Sequence, residues 1–148
     1  DQLMYAYFET NDIAKLSKLS SDAIDYFPNQ PSAYFYNSVA AAWNKDFAAA
    51  VEMANEGLIV AGGNEIHTAK LQVGLALGLA GKNDFVAAKT AIDKAMAISK
   101  EKYAFAYEAA GDLALAQGNA TEAQNSWQKS KDMGNLNRSL IQKLQVPK

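Results

Sequence analysis

The residues able to carry chemistry are few. The only histidine, His67, stands two positions from Glu65 at what reads as the opening of a helix. Such a pair suggests a metal ligand set or a general base, but a metal site needs three or four convergent donors. A catalytic histidine needs a nucleophile on one side and an orienting acid on the other. The sequence around His67 supplies neither, so it reads as a surface residue, and the chain as non-catalytic and free of metal or other cofactor. The absence of cysteine excludes disulfides, thiolate metal sites and thiol chemistry, and is compatible with a reducing or an oxidising compartment.

Two further patterns resolve into structure rather than chemistry. Gly74-Leu75-Ala76-Leu77-Gly78 has the GxxxG spacing of closely packed helices. No strand precedes it and no Gly-Lys-Ser/Thr follows, so it is not a phosphate loop, and its reading is tight packing within the chain. Asn119-Ala120-Thr121 and Asn137-Arg138-Ser139 satisfy the glycosylation acceptor rule, a motif short enough to arise by chance.

The totals narrow the partners. A chain of 148 residues, 49% apolar and 20% charged, has the balance of a folded protein. A net charge of -2 leaves no basic footprint, so neither nucleic acid nor an anionic membrane surface is an expected partner. The longest apolar run, Leu75 to Gly81, is far short of the ~20 residues that span a bilayer, which argues against membrane insertion. The chain opens on Asp1 without Met or a basic-then-apolar leader, as expected of a processed protein or a piece of a longer one.

Helical spacing organises the rest. Leu3, Tyr7 and Phe8 mark a short first helix over Asp1 to Glu9, and Thr10-Asn11-Asp12 makes a turn with an N-cap. A second helix over Ile13 to Tyr26 ends at Phe27-Pro28. A second unit runs from Pro31, with Tyr34, Asn37-Ser38, Ala41, Phe47, Ala50 and Ala54 at successive turns. A third follows the Ala61-Gly62-Gly63-Asn64 break, with Val73-Gly74, Leu77, Phe85, Ala88 and Ile92, its turn about two residues longer. The fourth unit has its clearest stretch at Tyr107 to Gly134, with Gly111, a Gly118-Asn119 turn, Ala123 and Trp127. Leu140, Ile141 and Leu144 then form the apolar stripe of a closing helix. Small or apolar residues recur at Leu16, Ala50, Ala88 and Ala123, separated by 34, 38 and 35 residues.

That recurrence, with an aromatic, a Leu-Gly pair, a further aromatic and then alanine at fixed offsets, resembles the tetratricopeptide repeat. The resemblance covers Asp1 to about Met133. It implies an all-α fold, a right-handed superhelix of about four helix pairs. The units fall at 1–30, truncated at its start, 31–63, 64–100 and 101–134, with a capping helix over 135–145, in a single domain spanning 1–148 and part of a longer protein. It implies a non-catalytic module that binds a partner helix or peptide in a groove lined by the first helix of each pair. Carried over, the lining is Tyr5, Phe8, Phe35, Val39, Trp43, Leu75, Phe105, Glu108 and Asp112: apolar and aromatic, with an acidic end suited to a partner's Lys or Arg. Leu71, Leu79 and Leu115 share this register and are assigned to core packing. The Lys, Asn and Arg of carboxylate-clamp members of that family are replaced here by Phe35, Val39, Gln72, Phe105 and Ala109, so capture of a C-terminal carboxylate is not expected.

The last repeat also resembles that of bacterial cell-envelope proteins of this family, which implies a periplasmic or envelope setting. The second reading is an architectural segment of a longer array, or a scaffold in which two copies pair through the open repeat end.

Overall fold

The computed structural model describes residues 1–145; the last three positions of the expected 1–148 unit lie outside the described residues. Among the described residues there are nine helices and no strand. They are α1 (Gln2–Glu9), α2 (Ile13–Tyr26), α3 (Pro31–Trp43), α4 (Phe47–Ala61), α5 (Glu65–Gly81), α6 (Phe85–Ser99), α7 (Ala104–Ala116), α8 (Ala120–Asp132) and α9 (Arg138–Gln145).

One local device starts every even-numbered helix from α2 to α8. A residue of positive φ, Asn11 (56°), Lys45 (62°), Asn83 (63°) or Gly118 (83°), reverses the chain. The next residue, Asp12, Asp46, Asp84 or Asn119, is the N-cap, and its side-chain oxygen accepts from the backbone N–H three positions on, at 3.1–3.3 Å. Asparagine and glycine tolerate the left-handed conformation, and the short oxygen-bearing side chain satisfies a helix-start donor that would otherwise lack a partner.

Counted from these turns, the repeat is regular. Leu16, Ala50, Ala88 and Ala123 are each 0% exposed, and their alanines let the two helices of a pair approach closely. Ser38 Oγ donates to the Ala50 carbonyl at 2.8 Å. Asn37, where the pattern asks for leucine, instead donates to Ser20 Oγ of α2 at 2.9 Å.

The third unit corrects the expected register. Its turn has the same geometry as the others, and α5 instead carries about one additional turn at its start. Seven residues before the positive-φ position stand Ser38, Ala76 and Gly111, so Leu75-Ala76, and not Val73-Gly74, occupy the paired slots. Gly74 serves a different contact: a Cβ there would lie 2.8 Å from Ser38 Oγ, on the neighbouring unit.

The odd helices α3, α5 and α7 pack side by side, each flanked by the even helix of its pair. This odd face bends inward. Phe35 of α3 and Phe105 of α7 meet at 6.2 Å across α5. The main core runs from α1 to α7, and a smaller cluster of Ala114, Ala123, Trp127 and Leu140 lies beneath α9.

At Gly111 the last pair has no space for a side chain: a Cβ would lie 2.4 Å from Trp127 Cδ1 and 3.0 Å from the Ala123 carbonyl oxygen. Gly111→Ala is expected to lower stability by about 2 kcal/mol through overpacking, despite the better helix propensity of alanine. Urea denaturation checks this, and an unchanged or raised midpoint would contradict the packing argument.

Candidate binding surface

The inner face is built from the outside of α1 and the facing sides of α3, α5 and α7. Met4 and Phe8 are the buried residues of α1, because two apolar residues one turn apart must point the same way on a short helix. Phe8 enters a cluster of rings, stacking on Trp43 at 5.3 Å and meeting Phe105 edge-on at 5.0 Å, with Tyr36 and Phe35 at 5.9 and 6.2 Å. Aromatic pairs at these separations add to simple burial.

The acidic end is filled in the same manner. Glu108, 1% exposed, accepts from Asn135 Nδ2 at 2.9 Å, Asn137 Nδ2 at 2.8 Å, Ser139 Oγ at 3.2 Å and Lys143 Nζ at 2.9 Å. Asp112 accepts from Trp127 Nε1 at 3.0 Å and from the same Lys143 at 2.9 Å. Burial pushes Asp112 up from the usual carboxylate range, against the pull of Lys143. Burial also depresses the Lys143 ammonium, but Asp112 and Glu108 outweigh it and hold the group above its ordinary value. A charge taken out of water must be paired and hydrogen-bonded, and here α9 supplies both.

These contacts revise the expected lining. Phe8, Phe35, Val39 and Phe105 are 7%, 3%, 0% and 4% exposed and form the floor of the inner face. Curvature brings them against one another, so each offers little surface to a partner. Glu108 and Asp112 hold the chain's own lysine, where a partner's was expected. Leu75 is half-buried on another side of α5, displaced by the register shift, and Leu77 takes its place. Tyr5 remains exposed and Trp43 half-exposed. Leu115, assigned to the core, is exposed, whereas Leu71 is fully buried.

Toward the C-terminal ends of α3, α5 and α7 a shallow cleft of about 230 Å³ stays open, lined by Trp43, Phe47, Leu77, Ala80, Ala109 and Asp112. Trp43, Leu77 and Asp112 come from three successive units, so a ligand laid there would touch each of them.

Other sequence features find structural places. His67 sits in the first turn of α5, where burial and then Lys70 hold its imidazole below the ordinary value. Among the described residues no three His, Cys, Asp or Glu converge as metal ligands. Asn137 of the second acceptor motif is fully buried against Glu108, and Asn119 is the N-cap of α8. The groups that sequence reasoning missed are Lys143, Asn135 and Asn137. The available signal was Ser139 and Lys143 one helical turn apart beside the apolar stripe of α9.

Tyr36 links this face to pH. Burial, then Tyr5 and Glu9, push its phenol up to about 12 from 10.0. The unfolded chain loses this proton first, so the stability it contributes is complete below pH 10 and falls between pH 10 and about 12. Tyr36→Phe should flatten that alkaline fall by up to about 1.4 kcal/mol per pH unit. Urea midpoints across the window check this; parallel curves for parent and variant would exclude the assignment.

No helix among the described residues is long and apolar enough to cross a membrane. No protein-family model matches the chain, and no curated protein matches it.

Proposed function

We propose that the chain is a tetratricopeptide-like, right-handed array that acts as a non-catalytic protein-interaction module. Its ligand is a helix or extended peptide laid across the cleft of Trp43, Leu77 and Asp112. The carrying observation is that residues of three successive units, Trp43, Leu77 and Asp112, border one open cleft of the inner face. Its walls are apolar and aromatic, with Asp112 at the rim already paired to Lys143, a composition that favours apolar anchors. Ala80 and Ala116 border it without deep burial, so Ala80→Glu with Ala116→Glu introduces charge without disturbing the core. A quantitative pull-down from source-cell extract should retain a protein on the parent and lose it on this variant, with circular dichroism unchanged. Equal retention by both removes the cleft from consideration.

A second reading, architectural stacking or self-association, is favoured by the first helix pair. Leu3, Tyr26 and Phe27 are 52%, 78% and 60% exposed there, as on a repeat face without its neighbour. Sedimentation equilibrium of the parent beside Tyr26→Lys with Phe27→Lys separates the two: a concentration-dependent dimer abolished by the lysines supports pairing through this end.

A further inference from the structure

A second opening lies on the other side of the ring cluster, about 200 Å³ in volume, where α1, α3, the start of α7 and the α8–α9 connection meet. Tyr5, Phe8, Phe35, Tyr36, Tyr103 and Phe105 contribute six aromatic rings to its wall. The rings come from three helices and the residue preceding α7, and Phe8, Phe35 and Phe105 are fixed by mutual packing. The floor of the site is therefore preorganised, and Tyr5, 55% exposed, stands at its rim. Glu9 stands at the wall one helical turn from Tyr5. It takes part in none of the ion pairs among the described residues. Burial raises its carboxyl, a hydrogen bond with Tyr5 lowers it, and the nearby Glu108 raises it.

Ring faces and a carboxylate outside any of those ion pairs together favour a cation, and a weakly hydrated one above a compact one, because it loses less on leaving water. We infer that this opening is an aromatic cage for an alkylated ammonium group, in which Tyr5, Tyr36 and Tyr103 contact the cation and Glu9 neutralises it. Lys70 also lines the opening and works against such a ligand, because its ammonium lowers affinity for any cation. The inference goes beyond the proposed partner cleft and stands whether or not that cleft takes a chain, since the two openings lie toward opposite ends of α7.

The test is an NMR titration of the chain with choline and with its neutral isostere 3,3-dimethylbutan-1-ol. Choline should bind roughly 3- to 30-fold more tightly than the alcohol, the range that a ring-bound cation supplies. Tyr5→Leu and Glu9→Gln, at positions exposed enough to leave the fold intact, should each weaken choline several-fold and leave the alcohol unchanged. Lys70→Gln should strengthen choline binding. A trimethyllysine peptide compared with its unmodified form distinguishes the sources: a marked preference for the modified peptide, tighter than choline, indicates a protein side chain, whereas equal affinity for choline and the modified peptide indicates a free quaternary amine. Equal affinity of choline and the alcohol, no shift of ring resonances at saturating choline, or weaker choline binding by Lys70→Gln each overturns the assignment.

Discussion

Replacing Lys143 with methionine is expected to lower stability by about 3 kcal/mol, the order found when one partner of a buried pair is removed. The side chain of Lys143 is 25% exposed and that of Glu108 only 1%. Methionine keeps most of the aliphatic stem but leaves Glu108 with three neutral donors for a full charge, and Asp112 beside it with only the Trp127 indole. Adding Glu108→Gln should recover much of the loss, because the residual penalty comes from an uncompensated charge and not from lost packing. The non-additivity of the two substitutions, measured by urea unfolding, is the informative quantity. A Lys143→Met variant within 1 kcal/mol of the parent, or a double variant weaker than the sum of its singles, would show that α9 is held by its apolar stripe alone. The expected result makes α9 an internal occupant of the acidic end, fixed by charge as well as by Leu140.

Phe8→Ala is expected to cost about 3 to 4 kcal/mol, the lower part of the range for a buried phenylalanine. Phe8 touches four rings on α3 and α7, and truncation removes all four contacts at once. The stacked face of Trp43 becomes exposed, so its fluorescence should shift to the red. Tyr5→Ala, at 55% exposure, should change stability by less than about 1 kcal/mol. Similar losses for the two variants would mean that α1 lies on the surface instead of closing the inner face. If Phe8→Ala remains folded at low temperature, it also uncovers Phe35 and Phe105, the residues that the spacing assigns to a ligand.

Local structure was legible because it depends on residues within one or two turns of each other. The Asn-Asp, Lys-Asp and Gly-Asn turns, the N-caps they provide, and the recurrence of Leu16, Ala50, Ala88 and Ala123 all act over a few positions, and the helices follow from them. The additional turn at the start of α5 was not legible, since α5 is apolar on several sides and its periodicity does not distinguish one register from another two residues away. Spacing also names the inward-facing positions, but not what they face.

That last question was decided only by tertiary structure. Phe8 and Phe105 are brought together by packing between helices far apart in the chain, which no local pattern encodes. Lys143 reaches Glu108 and Asp112 because the connection after α8 turns α9 back across the last pair. The sequence by itself determined an array of helix pairs with an apolar, partly acidic inner face. Tertiary structure determined that the chain covers most of that face itself, because buried rings and a buried carboxylate are stable only when other groups, here from α1 and α9, replace the water they have lost.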